Sequence, residues 1–181
     1  MIGRFRLRAR ALAILAIMGA ALGPEASIAF ASASDTRMDE YRVRAAFLVK
    51  FSKFVQWPHA GSLAFCIAGD GEFGFAMTSV TGQRDGGRDV VVRTIDPKGD
   101  FSSCDVVYVG HDAVRQTADI LGQIATRPVL AVGESDAFLK EGGIVRVFVE
   151  DHKIRFQVDG ATSEKRGLKI SSQLLSLAAP H

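Results

Sequence analysis

The stretch FCIAGDGEFG, residues 65–74, joins a short apolar run to a glycine-rich loop. Its glycines have the spacing G-x-G-x-x-G, which in dinucleotide-binding domains connects a strand to the N-terminus of a helix. The next apolar run, VVVRTID, ends at Asp96, about where that fingerprint places an acidic partner for a ribose. The stretch therefore predicts a strand, a tight loop and a helix, and it raises the question of a bound dinucleotide.

The acidic residues of this loop favour a structural role over nucleotide binding. Pyrophosphate binds such a loop because the helix N-terminus is positive and glycine lets the backbone approach. Asp70 and Glu72 add two carboxylates to the same loop, and these oppose a bound diphosphate. We interpret the glycines as residues of a close-packed turn with positive φ, and we expect no cofactor. An exported oxidoreductase with a nucleotide cofactor is the alternative.

Apolar patterns on both sides of this unit predict alternating strands and helices. Short apolar or alternating runs predict strands, and apolar residues at three- and four-residue spacing predict helices. Strands are predicted at LAFCIAG, DVVVRTI, FSSCDVVYVG and PVLAVGE, and a hairpin at IVRVFVEDHKIRFQVD. Helices are predicted at DEYRVRAAFLVKFSKFVQWP, which Pro58 ends, at FAMTSVTG, at HDAVRQTADILGQIA, and at the closing TSEKRGLKISSQLLSLAA.

This alternation implies a parallel sheet with helices on both faces. The final hairpin would add antiparallel strands at one edge. We therefore predict an α/β fold: a three-layer sandwich with a mixed, mostly parallel sheet and a C-terminal antiparallel hairpin.

The N-terminus has the order of a secretory signal peptide. MIGRFRLRAR carries four arginines, ALAILAIMGAALG is apolar, and ASIAFASAS offers small residues for cleavage. The apolar run is shorter than the roughly 20 residues that span a bilayer, which favours cleavage after Ala31 over an uncleaved membrane anchor. We predict a signal peptide over residues 1–31, a flexible mature N-terminus over 32–40, and a single domain over 41–179.

Charge and spacing exclude several classes of function. The formal net charge of +2 includes the four arginines of the leader, and no Lys/Arg stripe interleaves with aromatics, so we expect no nucleic-acid partner. The four histidines lie far apart in the sequence, which makes a metal site unfavourable. Ser135 lacks the second glycine of a G-x-S-x-G nucleophile turn. We expect no catalytic residues, and so not an enzyme.

Cys66 and Cys104 are the two cysteines of the chain. An exported protein meets an oxidising compartment, and a bond between neighbouring strands would close a long loop. We predict a structural disulfide between them. Two buried free thiols are the alternative, and a metal site is disfavoured because no further ligand lies at the required spacing.

Two regions are candidates for binding. Parallel strands end in a natural crevice, which would place there the residues at or just beyond the strand ends. These candidate crevice residues are Asp70, Gly71, Gly110, His111 and Glu134.

The first helix carries more apolar residues than one buried stripe needs. Part of it could form an exposed apolar patch, an interface or a homodimer contact, although core burial is the commoner fate of such residues. The candidate interface residues are Phe47, Leu48, Phe51, Phe54 and Trp57.

Several stretches resemble the YfiR family of secreted bacterial proteins. They are RAAFLVKFSKFVQWP, FCIAGDGEFG, CDVVYVG, RPVLAVGESDAFLKEGGIVRVFVEDHKIRFQVD and RGLKISSQLLSLA, in the order of the family. The resemblance implies a periplasmic inhibitor that acts on the periplasmic sensory part of a membrane diguanylate cyclase. It also implies relief by an outer-membrane lipoprotein or by redox change, and less cyclic di-GMP and biofilm.

The chain departs from the family pattern at two points. It lacks the second cysteine pair that the family often carries near the C-terminal hairpin, so switching through that pair is not expected here. Asp159 stands where the family tends to have asparagine, and either residue can cap a turn.

Three functions stay open: a regulator that acts through protein contacts, a periplasmic small-molecule-binding module, and an exported oxidoreductase.

Overall fold

The computed structural model describes residues 25–151 and 153–180. The helices are α1 (Glu25–Ser52), α2 (Gly71–Thr78), α3 (Thr117–Ile124), α4 (Gly160–Lys165) and α5 (Ser172–Leu175), and a 3₁₀-helix (His111–Gln116) precedes α3. The strands are β1 (Val55–Gln56), β2 (Leu63–Ala68), β3 (Arg84–Asp85), β4 (Arg88–Ile95), β5 (Val106–Val109), β6 (Leu130–Gly133), β7 (Val145–Glu150), β8 (Lys153–Val158) and β9 (Lys169–Ile170).

One seven-stranded sheet organises the domain, in the order β3-β4-β2-β5-β6-β7-β8. The five strands from β4 to β7 in this order run parallel, whereas β3 and β8 are antiparallel strands at the two edges. β1 and β9 form a separate two-stranded antiparallel sheet. The mixed, mostly parallel sheet and the C-terminal hairpin of β7 and β8 are therefore confirmed.

Side chains on the two faces of the sheet belong to two separate cores. Successive residues of a strand point to opposite faces. Phe65 and Ile67 of β2 accordingly join a core that includes Leu48 of α1 and Met77 of α2. Cys66, on the other face, joins a core that includes Ile120 and Leu121 of α3. Helices cover both faces, which confirms the three-layer sandwich.

The strand order creates a crevice at the carboxyl ends of β2 and β5. The chain passes from β2 outward to β4 and then returns to β5 on the other side of β2. The crossovers on the two sides of this point run in opposite directions along the sheet. Such a reversal leaves room beyond the strand ends, where α/β domains of this type bind ligands.

The first helix ends earlier than the sequence predicted. α1 stops at Ser52 rather than at Pro58, and Val55–Gln56 form β1, which pairs with β9. The backbone oxygen of Phe54 accepts a hydrogen bond from the Ser171 nitrogen at 2.9 Å. Val43 of α1 faces solvent although it is apolar, and it is 60 % exposed.

The predicted closing helix is wrong as one continuous element. The structure has α4, β9 and α5 over this segment, because Gly167 takes a left-handed backbone with φ 76° and ends the first helix. Asp159 caps α4: its carboxylate accepts a hydrogen bond from the Thr162 nitrogen at 2.9 Å. Ser171 caps α5 rather than lying within a helix.

The predicted signal peptide lies mostly outside the described residues. Its residues 1–24 are not described, and residues 32–40, which were expected to be flexible, lie within α1. In the described part of the chain, no helix combines the length and hydrophobicity of a membrane span. The cleavage site and the flexibility of 32–40 stay predictions.

Cys66 and Cys104 form a disulfide in the structure. Cys66 lies in β2, Cys104 lies just before β5, and the two Cα atoms are 5.9 Å apart. Both residues are buried in the core under α3. Because β2 and β5 are neighbours, the bridge joins adjacent parts of one sheet.

Candidate functional site

A cleft of about 590 Å³ lies at the crevice between the ends of β2 and β5. Its lower wall is formed by residues that follow the strands: Asp70, Gly71, Glu72, His111, Asp112 and Glu134. Its other wall is formed by α1, which contributes Arg37, Glu40, Tyr41 and Arg44. The cleft therefore lies between the first helix and the carboxyl edge of the sheet.

The structure brings most of the candidate crevice residues together. Asp70, Gly71, His111 and Glu134 line the cleft, although the chain separates them widely. Gly110 lies directly behind Asp70, since a Cβ atom at position 110 would come within 2.5 Å of the Asp70 Cβ. A functional role for these five residues stays a prediction.

Asp70 is the turn residue that precedes α2 and caps its N-terminus. It has a left-handed backbone with φ 77°, and its Oδ1 accepts a hydrogen bond from the Phe73 nitrogen at 2.9 Å. Aspartate tolerates this conformation better than most residues because its short polar side chain bonds locally. Burial raises the pKa of Asp70, and the charges of Glu134 and Asp112 raise it further, against the hydrogen bond from Phe73 and the charge of Arg44.

The glycines of the loop serve packing. A Cβ atom at Gly69 would lie 2.6 Å from the Ala113 nitrogen, and φ there is +59°. A Cβ atom at Gly74 would lie 2.9 Å from Thr94 Oγ1, so this glycine lets α2 pack on β4. Asp96 accepts from the Lys98 nitrogen at 2.8 Å and holds a turn. These contacts support the interpretation of the loop as a close-packed turn.

A partly buried polar network joins α1 to the ends of two strands. Glu134 Oε1, just after β6, accepts hydrogen bonds from the Arg44 guanidinium and from the hydroxyl of Tyr108 on β5. Arg44 also donates to Glu40 Oε1 at 2.7 Å. Burial raises the pKa of Tyr108 well above its ordinary value of 10.0, and Glu134 adds to the increase. Tyr108 therefore stays protonated and donates to Glu134.

The aromatic rings beside this network form a short stack. The rings of Phe73 and Tyr108 are 4.3 Å apart between centroids, and that of Tyr41 lies 5.9 Å from Phe73. The Arg44 guanidinium carbon lies 5.4 Å from the centre of the Tyr41 ring. The stack lies between α1, α2 and β5, and Arg44, which lines the cleft, packs over the Tyr41 ring.

Sequence reasoning missed the α1 side of the cleft and Tyr108. The polar residues of α1 recur at positions 37, 40, 41 and 44, a helical stripe that could have been recognised as one face. Their position over the carboxyl edge depends on how α1 docks. The apolar run VVYV predicts a core position for Tyr108. Its hydrogen bond to Glu134 depends on the strand register that pairs Tyr108 with Val132.

The candidate interface residues are largely buried. Leu48 and Phe51 are each 2 % exposed and belong to the core, whereas Phe47, Phe54 and Trp57 are partly buried and pack against it. Phe47 and Phe51 contact Phe156 of β8. Only Phe47, Phe54 and Trp57 have side chains that are partly accessible to solvent. An interface role for the five residues stays a prediction.

The described residues 25–151 and 153–180 contain no group of three or more His, Cys, Asp or Glu side chains that could hold a metal ion. His59 bonds Asp105 at 2.9 Å and His111 lies at the cleft, so these two histidines are on different parts of the surface.

The strand order and the cleft define a class, the doubly wound α/β domain with a binding crevice at the point where the strand order reverses. Within that class, the chain belongs to the YfiR/HmsC-like family (DUF4154), whose family model matches residues 41–179. The resemblance seen in the sequence is confirmed. The family is one of periplasmic regulators, not known as enzymes, that act with a membrane diguanylate cyclase.

Proposed function

We propose that this protein is a periplasmic repressor that binds the periplasmic part of a membrane diguanylate cyclase and lowers cyclic di-GMP and biofilm formation. The observation that carries the proposal is the family match over residues 41–179, which spans the whole seven-stranded sheet and the C-terminal part of α1. The predicted signal peptide supports the periplasmic location.

Repression requires a difference in affinity between two states of the cyclase. An inhibitor shifts an equilibrium only by as much as it prefers the inactive conformation, and equal affinity for both states shifts nothing. Binding alone is therefore an insufficient test.

The contact surface we propose includes Phe47, Phe54 and Trp57, because they are the candidate interface residues that keep exposed surface. An outer-membrane lipoprotein and a second copy of this chain are further proposed partners.

Deletion of the gene tests the repressor function in cells. We expect intracellular cyclic di-GMP to rise on deletion, and to fall again when an export-competent copy is supplied. A copy without residues 1–31 should accumulate in the cytoplasm and fail to complement. Unchanged cyclic di-GMP across several growth and redox conditions would contradict the proposal.

Crosslinking in the periplasm followed by pull-down then identifies the partner, and a cyclase in the eluate is the expected result.

A small-molecule-binding module is the second candidate function. The cleft favours it, because its volume of about 590 Å³ is in the range of ligand sites and it lies where doubly wound domains bind ligands. A compound that copurifies with the protein would support this function. It is compatible with repression, since a ligand could control the affinity for the cyclase.

A further inference from the structure

Negative charge predominates in the cleft. Its lining contains five carboxylates, from Glu40, Asp70, Glu72, Asp112 and Glu134, but only two guanidinium groups, from Arg37 and Arg44. Both of the guanidinium groups are engaged. Arg44 donates to Glu134 and Glu40, and Arg37 lies 3.8 Å from Glu72 in an exposed pair.

Asp70 carries an unused acceptor in this cleft. The residue is 7 % exposed, and its Oδ1 is satisfied by the Phe73 nitrogen. Its second carboxylate oxygen has no hydrogen-bond partner among residues 25–151 and 153–180, and Asp70 lines the cleft. The cap hydrogen bond offsets only part of the cost of removing this carboxylate from water, so a cation in the cleft would offset more of it.

Neighbouring carboxylates strengthen the field at Asp70. Glu134 and Asp112 both act on it electrostatically and hinder its ionisation, whereas Arg44 opposes them only in part. The described chain offers neither Asp70 nor Asp112 an ion-pair partner. The protein's own cations therefore leave this end of the cleft negative.

The remaining wall suits an organic cation. Tyr41 lines the cleft beside Asp70 and presents an aromatic surface, which attracts cations and packs against apolar groups. The cleft volume of about 590 Å³ matches a metabolite-sized molecule. A bare metal ion suits it less, because the described residues offer no group of three ligands.

We propose that the cleft binds a small organic cation, of the alkylammonium class, with its charged nitrogen against the free carboxylate oxygen of Asp70. This inference rests on the second candidate function, ligand binding at the cleft, and it is independent of repression of a cyclase. Glu134 and Asp112 supply the surrounding negative potential, and Tyr41 covers the carbon chain.

Binding of three linear probes to the purified protein tests the class of ligand. The probes are 1,4-diaminobutane, glutarate and 1,4-butanediol at constant ionic strength, with calcium chloride as a fourth arm. We expect the diamine alone to raise the melting temperature and to shift the amide resonances of residues 70–72, 111–112 and 134. The shifts should saturate in the millimolar range or below.

Two substitutions, each of which removes one negative charge, distinguish binding at Asp70 from non-specific electrostatic attraction of the diamine to the protein. Asp70→Asn keeps a side chain that caps α2 and tolerates positive φ, and it should weaken diamine binding at least tenfold. Asp119→Asn makes the same chemical change at an exposed residue of α3, on the other face of the sheet, and should leave the affinity unchanged.

Each other outcome overturns the inference in a recognisable way. Glutarate, butanediol or calcium shifts at these residues without diamine shifts would keep ligand binding at the cleft but refute the organic cation. Equal diamine affinity in the wild type and Asp70→Asn would refute the site. No binding of any probe at 10 mM would refute the organic cation, whereas the search for a copurifying compound tests the second candidate function and the cyclic di-GMP measurements test repression.

Discussion

The disulfide region under α3 and the cleft region under α1 lie on opposite faces of one sheet and are stabilised in different ways. Cys66 and Cys104 lie in a core of apolar side chains, and a covalent bond joins them. The cleft region instead holds Arg44, Tyr108 and Glu134 in a partly buried hydrogen-bonded network, and Asp70 lacks an ion-pair partner among the described residues. Both faces have an apolar core, but the cleft region adds polar groups at a cost that a binding function would justify.

The largest effect should come from loss of the disulfide. The bridge spans a sequence separation of 38 residues, and it restricts the unfolded chain. Cys66→Ser should therefore lower the free energy of unfolding by about 2–5 kcal/mol, measured by urea denaturation. Cys104→Ser and the double variant should lose the same amount, because each of them lacks the same single bond.

Thiol titration of the exported wild type checks the premise of that experiment. No reactive thiol should be found under denaturing, non-reducing conditions. Two reactive thiols per chain would show that the bridge is absent in the cell, and the difference between the two faces would then rest on apolar packing alone.

Removal of the shared acceptor in the cleft should have a smaller effect. Glu134→Ala removes the acceptor that Arg44 and the Tyr108 hydroxyl share, although Arg44 keeps its hydrogen bond to Glu40, and hydrogen bonds to charged groups contribute about 1.5–3 kcal/mol. Since Glu134 is 26 % exposed and water can replace part of the interaction, we expect a loss of about 2 kcal/mol.

Glu134→Gln is the matched control for this network. Its amide oxygen can still accept from Tyr108 or Arg44, so the loss should be about half that of alanine. Equal losses for alanine and glutamine would show that the charge, rather than the acceptor, stabilises the fold. A loss below about 0.5 kcal/mol for both would show that the network contributes nothing and that the two faces do not differ as described.

Particular residues show what the sequence could and could not predict. The loop from Gly69 to Gly74 was predictable because turn geometry is local, and Asp70, His111 and Glu134 could be grouped because parallel strands end at the same edge. β1 was not predictable, since its pairing with β9 joins segments far apart in the chain. Arg44 was missed because its contact with Glu134 requires α1 to cross the carboxyl edge, and no local pattern specifies this docking.

The smallest effect expected is a change in how stability depends on pH. The folded-state pKa of Asp70 is raised above its ordinary value of 3.8, with burial as the main cause. The folded protein therefore retains a proton on Asp70 that the unfolded chain loses. The stability that this provides is complete below pH 3.8 and is lost as the pH rises through the folded-state pKa.

Asp70→Asn removes this dependence while it keeps the cap on α2, so its melting temperature relative to the wild type should rise between pH 3.5 and pH 7. Thermal unfolding of both proteins at pH 3.5, 5 and 7 measures the difference. Asp70→Ala loses both the cap hydrogen bond to Phe73 and the polar side chain that tolerates φ 77°, so it should cost about 2 kcal/mol relative to Asp70→Asn at every pH. If the asparagine variant instead became relatively less stable as the pH rises, the Asp70 carboxylate would be stabilising when charged. The cleft would then already hold the positive charge that we assign to a ligand.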